Sequence, residues 1–142
     1  MLSSVSRRLL TRCPCSLTSA ANRYASTLVI AEPLVNGVVS PATCSAVTAA
    51  HQVGGDDISL LVVSASSPTQ VPAGVSHVYY VACADQLTET VADAVQAVVN
   101  LKEFGHIMAP SSKFGSSVVP RAAALMSLSP VTDVTQILEP GE

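Results

Sequence analysis

His106–Val134, HIMAPSSKFGSSVVPRAAALMSLSPVTDV, carries the pattern on which the fold turns. A short apolar run, Ile107–Ala109, predicts a strand that enters the Ser/Gly-rich turn Pro110–Ser117. A helix is expected over Val118–Leu128, with Pro120 in its first turn, where a missing N–H costs nothing. Pro130-x-x-Asp133 leads out, and Val131–Leu138 is expected to begin a further strand. Strand, tight turn and helix in so short a span are parts of a βαβ unit.

The same alternation extends back toward the N-terminus. Thr27–Ala31 and Ile58–Val63 are continuous apolar runs, the pattern of strands buried on both faces. Between them Ser40-Pro41 reads as an N-cap followed by proline at the first helical position, opening a helix over Ala42–Val53 that Gly54-Gly55 stops. Ser64–Gly74, rich in Ser, Pro and Thr, reads as loop. Val75–Cys83 is a third strand, with Tyr79 and Tyr80 pointing to opposite faces. Asp85 is the expected cap of a helix whose apolar face is Leu87, Val91, Val95 and Val98, ended by Gly105. The fold class is α/β: a three-layer sandwich around a mostly parallel open sheet.

The chain has 142 residues, 49% of them hydrophobic and only 12% charged. That is one domain, with enough apolar content for one core. The formal charge of −3 is unevenly distributed. The first 24 residues carry four arginines and no acid, while the remainder holds three basic residues against all ten acids, a net charge of −7. An acidic body is repelled by phosphate backbones, which argues against nucleic acid as a partner. The apolar runs are too short to span a membrane.

Residues 1–24 are Arg-rich, Ser/Thr-rich and acid-free, the composition of a mitochondrial transit peptide. Arg23-Tyr24-Ala25-Ser26 has the form of a processing site, with cleavage expected after Tyr24. Residues 25–142 are then the mature domain. Cys13 and Cys15 fall in the presequence, and Cys44 and Cys83 are expected as small core residues. His51, His77 and His106 show no HxH or HExxH spacing, so no metal is expected.

Ligands of open parallel sheets gather beyond the carboxyl ends of the strands. The turn Ser111–Ser117 is the candidate anion site there, with Lys113, Gly115, Ser116 and Ser117 as its residues and the positive end of a helix behind them. It matches neither GxxxxGK[ST] nor GxGxxG, and an ordinary serine-capped turn has the same composition. Arg121, the only arginine after residue 24, is placed near a helix start that disfavours a cation, which suggests pairing with Asp133 or with a carboxylate of another chain. No GxSxG elbow or carboxylate dyad is present, and no residue is assigned a catalytic role.

Ser26–Glu32, Val75–Val81 and, most specifically, Phe114-Gly115, Pro120-Arg121-Ala122-Ala123, Leu125 and Pro130-x-x-Asp133 resemble the alpha subunit of the electron-transfer flavoprotein in its N-terminal domain. The resemblance implies a Rossmann-like sheet of the adenine nucleotide alpha hydrolase type. It also implies a scaffold that packs with the beta subunit as a heterodimer in the mitochondrial matrix. Phe114, Arg121 and Asp133 are the interface residues it suggests. In that family FAD carries electrons from acyl-CoA dehydrogenases, in fatty acid β-oxidation and amino-acid catabolism, to a membrane-bound quinone oxidoreductase. FAD belongs to the complete family protein, whose Gly- and Arg-rich flavin loops have no counterpart in this sequence. FAD binding by this chain alone is therefore not expected. Where the family carries a basic residue and then Asn or Asp, this chain has Ser116 and Ser117. The alternatives are a stand-alone nucleotide-binding α/β domain using the Ser111–Ser117 turn, and an inactive truncated product.

Overall fold

Runs of Val, Leu and Ile without polar alternation force two strands into the middle of a sheet covered on both sides. In the computed structural model, which describes residues 26–53 and 57–138, these are β1 (Ser26–Ile30) and β2 (Asp57–Ser64). They pair in parallel, with Ser26 beside Asp57 and Ile30 beside Leu61. The third strand, β3 (His77–Ala82), adds outside β2, and β4 (His106–Met108) adds on the far side of β1. The order is β3-β2-β1-β4 and every pair is parallel.

That order explains the layers. Right-handed crossovers place helices on one face while strands accumulate in one direction, and on the other face once the direction reverses. The first helix, α1 (Pro41–Gln52), covers one face, where Val47 and Ala50 pack on Val29, Leu60 and Val62. The other face receives α2 (Thr88–Leu101) and α3 (Lys113–Leu125), with Val91, Val95 and Val118 against Leu28, Ile30 and Leu61. The three-layer α/β sandwich expected from the sequence is therefore present.

Between β2 and β3 there is no helix, as the Ser/Pro/Thr-rich Ser64–Gly74 segment predicts. The α1 side of β3 is consequently uncovered, leaving Val78 40% and Tyr80 39% exposed. Tyr79 turns the other way and meets Phe104 edge-on, with ring centroids 6.4 Å apart. At the amino ends of the strands, Asp57 accepts from Lys102 Nζ at 2.5 Å and closes the end of α2 onto β2.

Several expectations are corrected. The last helix begins at Lys113, not Val118, so Ser116 and Ser117 are helical and Pro120 lies in the helix interior. The serine N-cap at Ser112 outcompetes the Gly115 breaker, because a satisfied first turn outweighs about 1 kcal/mol of glycine propensity. Asp85 does not cap α2: the N-cap is Leu87, which offers no side-chain bond and is itself 65% exposed. Val91, Val95 and Val98 line the buried face of α2 as expected, joined by Ala92 and Ala94 in place of Leu87. Cys44 is exposed rather than part of the core, and Cys83 is half-buried. Residues 131–138 form no strand; Val131 and Leu138 are 80% and 74% exposed. The transit segment, its cleavage point, Cys13 and Cys15, and the Gly54-Gly55 helix stop all lie outside the described residues.

Candidate functional site

The strand order reverses between β1 and β4, so the crevice of this sheet opens beyond their carboxyl ends. Two loops form it. After β1 the chain passes Glu32, reverses at Asn36-Gly37 and reaches Ser40. Asn36 and Gly37 have φ of 54° and 77°, and Val35 and Val38 exchange both backbone hydrogen bonds across them. This is the Asn-Gly signal of a tight two-residue turn, which sequence reading passed over. After β4 the chain runs through Pro110 into the N-terminus of α3.

The two helices that open here are capped alike. Ser40 Oγ accepts from Ala42 N at 3.1 Å, and Ser112 Oγ accepts from Gly115 N at 3.2 Å. Ser40 Oγ then turns its own hydrogen to the carboxylate of Glu32. Ser112 foremost, and Ser40 with it, hold the Glu32 carboxyl below the usual carboxylate range, while burial acts weakly in the opposite sense. The Glu32 backbone N–H donates to Thr43 Oγ1 at 3.1 Å, so main chain and side chain are both tethered. Glu32 entered the sequence reading only as the last residue of the Ser26–Glu32 stretch that carries the resemblance. Its signal was a lone acid immediately after a buried strand, eight residues before a Ser-Pro helix start.

The residues singled out from sequence do not converge on a ligand position. Lys113 is exposed at the first residue of α3. Gly115 is buried, packed on the Pro110 carbonyl. Ser116 and Ser117 bend their hydroxyls back to the carbonyls of Ser112 and Lys113, at 2.8 and 2.9 Å. Phe114 is half-buried against the α2–α3 core. Arg121 sits in the middle of α3 and donates from Nε to Glu89 Oε2 of α2 at 2.8 Å, rather than to Asp133. Asp133 is exposed, with φ of 56°.

A cavity of about 660 Å³ runs along the outer side of β4, between α1, α3 and the extended segment 128–137. Ala46, Ala49, Met108, Val119 and Met126 give it a mainly apolar lining, and among the described residues His106 and Asp133 are the only ionisable groups that line it. Among the described residues there is no cluster of His, Cys, Asp and Glu suited to a metal, and no helix long and apolar enough to cross a membrane.

The FAD that the resemblance implies can be tested against this geometry. A dinucleotide pyrophosphate needs free N–H donors and a positive helix end at the switch point. Here the Glu32 carboxylate occupies the Ser40 cap and is kept charged by Ser112 as well, and the residues at this switch point do not fit the group.

Residues 27–142 match the description of an electron transfer flavoprotein domain. The mitochondrial electron transfer flavoprotein subunit alpha of Oryza sativa subsp. japonica is 40% identical over 139 residues, covering 88% of this chain and 38% of the relative. The corresponding protein of Arabidopsis thaliana is 40% identical over 136 residues, with 87% and 37% covered. The alpha subunit of Pseudomonas aeruginosa is 32% identical over 121 residues, with 80% and 38% covered. The chain thus spans somewhat over a third of the length of these relatives. It belongs to the electron transfer flavoprotein family and is similar, over nearly all of its matched length, to the alpha subunits of that family.

Proposed function

We propose that the chain is the N-terminal scaffold domain of an electron transfer flavoprotein alpha subunit, residues 25–142, directed to the mitochondrial matrix by residues 1–24. The observation that carries this reading is the 40% identity to mitochondrial alpha subunits over 88% of the chain. The acid-free, Arg-rich start supports the address independently.

In this role the domain is an electron-carrier component rather than an enzyme. It packs with a beta subunit. FAD, held by the other parts of the complete alpha subunit and by the heterodimer, passes electrons from acyl-CoA dehydrogenases toward the respiratory chain. The chain's own residues supply a rigid sheet and a partner-facing surface to which Phe114, Arg121 and Asp133 are assigned.

Co-expression with a beta-type subunit tests the reading. A one-to-one complex is expected on size exclusion, and the 142-residue chain purified alone is expected to be colourless. Elution of the chain as a lone monomer in the presence of the beta subunit overturns it. So does a yellow preparation with one isoalloxazine per chain.

A further inference from the structure

We propose that Glu32 is a built-in anion that closes the switch-point crevice to phosphate groups, turning a nucleotide-type sheet into a purely structural one. The inference rests on contacts within the chain and is independent of the partner reading above.

Two helix N-termini point their positive ends at the crevice, where an anion is favoured. That of α1 is linked to the Glu32 carboxylate by a two-step relay, and the cap serine of α3 acts on the same carboxylate. The N–H of Ala42 donates to Ser40 Oγ, which donates to Glu32; the N–H of Gly115 donates to Ser112 Oγ, and the Ser112 hydroxyl favours the charged Glu32 carboxylate. Neither helix has an acid in its own first turn, so Glu32 is the negative charge that answers both dipoles. Thr43 fixes the Glu32 main chain at 3.1 Å, so the side chain is delivered to the serines by a tethered backbone. The hydroxyls of Ser116 and Ser117, in the first turns of α3, are spent on helix carbonyls. A phosphate entering here meets a like charge.

The test uses the full 142-residue chain, with inorganic phosphate and ADP as probes. Binding is followed by thermal shift and by the amide resonances of Ser112–Ser116, at constant ionic strength. Wild type is expected to show no saturable shift, and Glu32→Ala to bind phosphate at least about tenfold more tightly. Saturable movement of those amides in wild type, as strong as in the variant, overturns the proposal. A cooperatively melting Glu32→Ala that gains no affinity overturns it equally. Should Glu32→Ala fail to fold, Glu32→Gln, which keeps the size and an acceptor but drops the charge, is read against wild type by the same two outcomes.

Discussion

The carbonyl oxygen of Pro110 lies 2.0 Å from the point where a Cβ on Gly115 would stand. This contact sets how closely the first turn of α3 approaches the end of β4, and therefore where Ser112 meets Glu32. Two effects of Gly115→Ala oppose each other. Helix propensity alone favours alanine by about 1 kcal/mol. The obstruction is backbone, which cannot rotate aside, and such overpacking costs about 1–3 kcal/mol. Net destabilisation is expected, read as a lower urea midpoint at unchanged slope. A variant as stable as wild type would show that α3 has room to move.

The Glu32 contact predicts a pH dependence of definite sign. The folded-state pKa is depressed by the Ser112 and Ser40 hydroxyls. The stabilisation is therefore present above the unfolded-state value and lost as pH falls through the folded one. Thermal melts from pH 6 down to pH 2 should show a loss of midpoint that is shallower in Ser112→Ala than in wild type. Identical acid limbs in the two proteins would mean that Ser112 does not hold the charged carboxylate.

Core position is tested on α2. Val95 is fully buried between the sheet and α3, whereas Leu87 at the helix N-cap is 65% exposed. Val95→Ala removes two buried methyl groups and leaves a void, a loss of about 2 kcal/mol. Leu87→Ala should stay within about 0.5 kcal/mol of wild type. Chemical denaturation of the pair distinguishes the observed α2 register from one with Leu87 facing inward, which would reverse the ranking.

The sheet was legible because β1 and β2 are dominated by Leu, Val and Ile with no polar alternation, and such runs have few other places to go. Ser40-Pro41 was legible for the same reason at local scale, since cap and proline act within one turn. What escaped reading depended on contacts distant in sequence. Nothing near Glu32 announces Ser112, eighty residues later, as its partner. The true start of α3 was hidden because Gly115 and Pro120 are both poor helix formers, tolerated only where Ser112 caps the turn and Pro110 receives a residue without a Cβ. The segment after Leu128 has strand-like composition, but extended chain needs a paired edge, and its residues make none with β4.

Arg121 gives the sharpest separation of stability from assembly. Its pair with Glu89 is exposed on both sides, and ion pairs of that kind contribute about 0–1 kcal/mol, less at high salt. Arg121→Ala should therefore melt almost with wild type, and added salt should bring the two closer. If the partner-facing assignment of Arg121 is right, the same variant loses at least about tenfold in affinity for a beta-type subunit, because arginine suits planar carboxylate pairing across an interface. Titration calorimetry and thermal melting on one preparation read both quantities. Unchanged affinity removes Arg121 from the interface and leaves it as a strut between α2 and α3. A large loss of stability would contradict the exposed geometry of the pair.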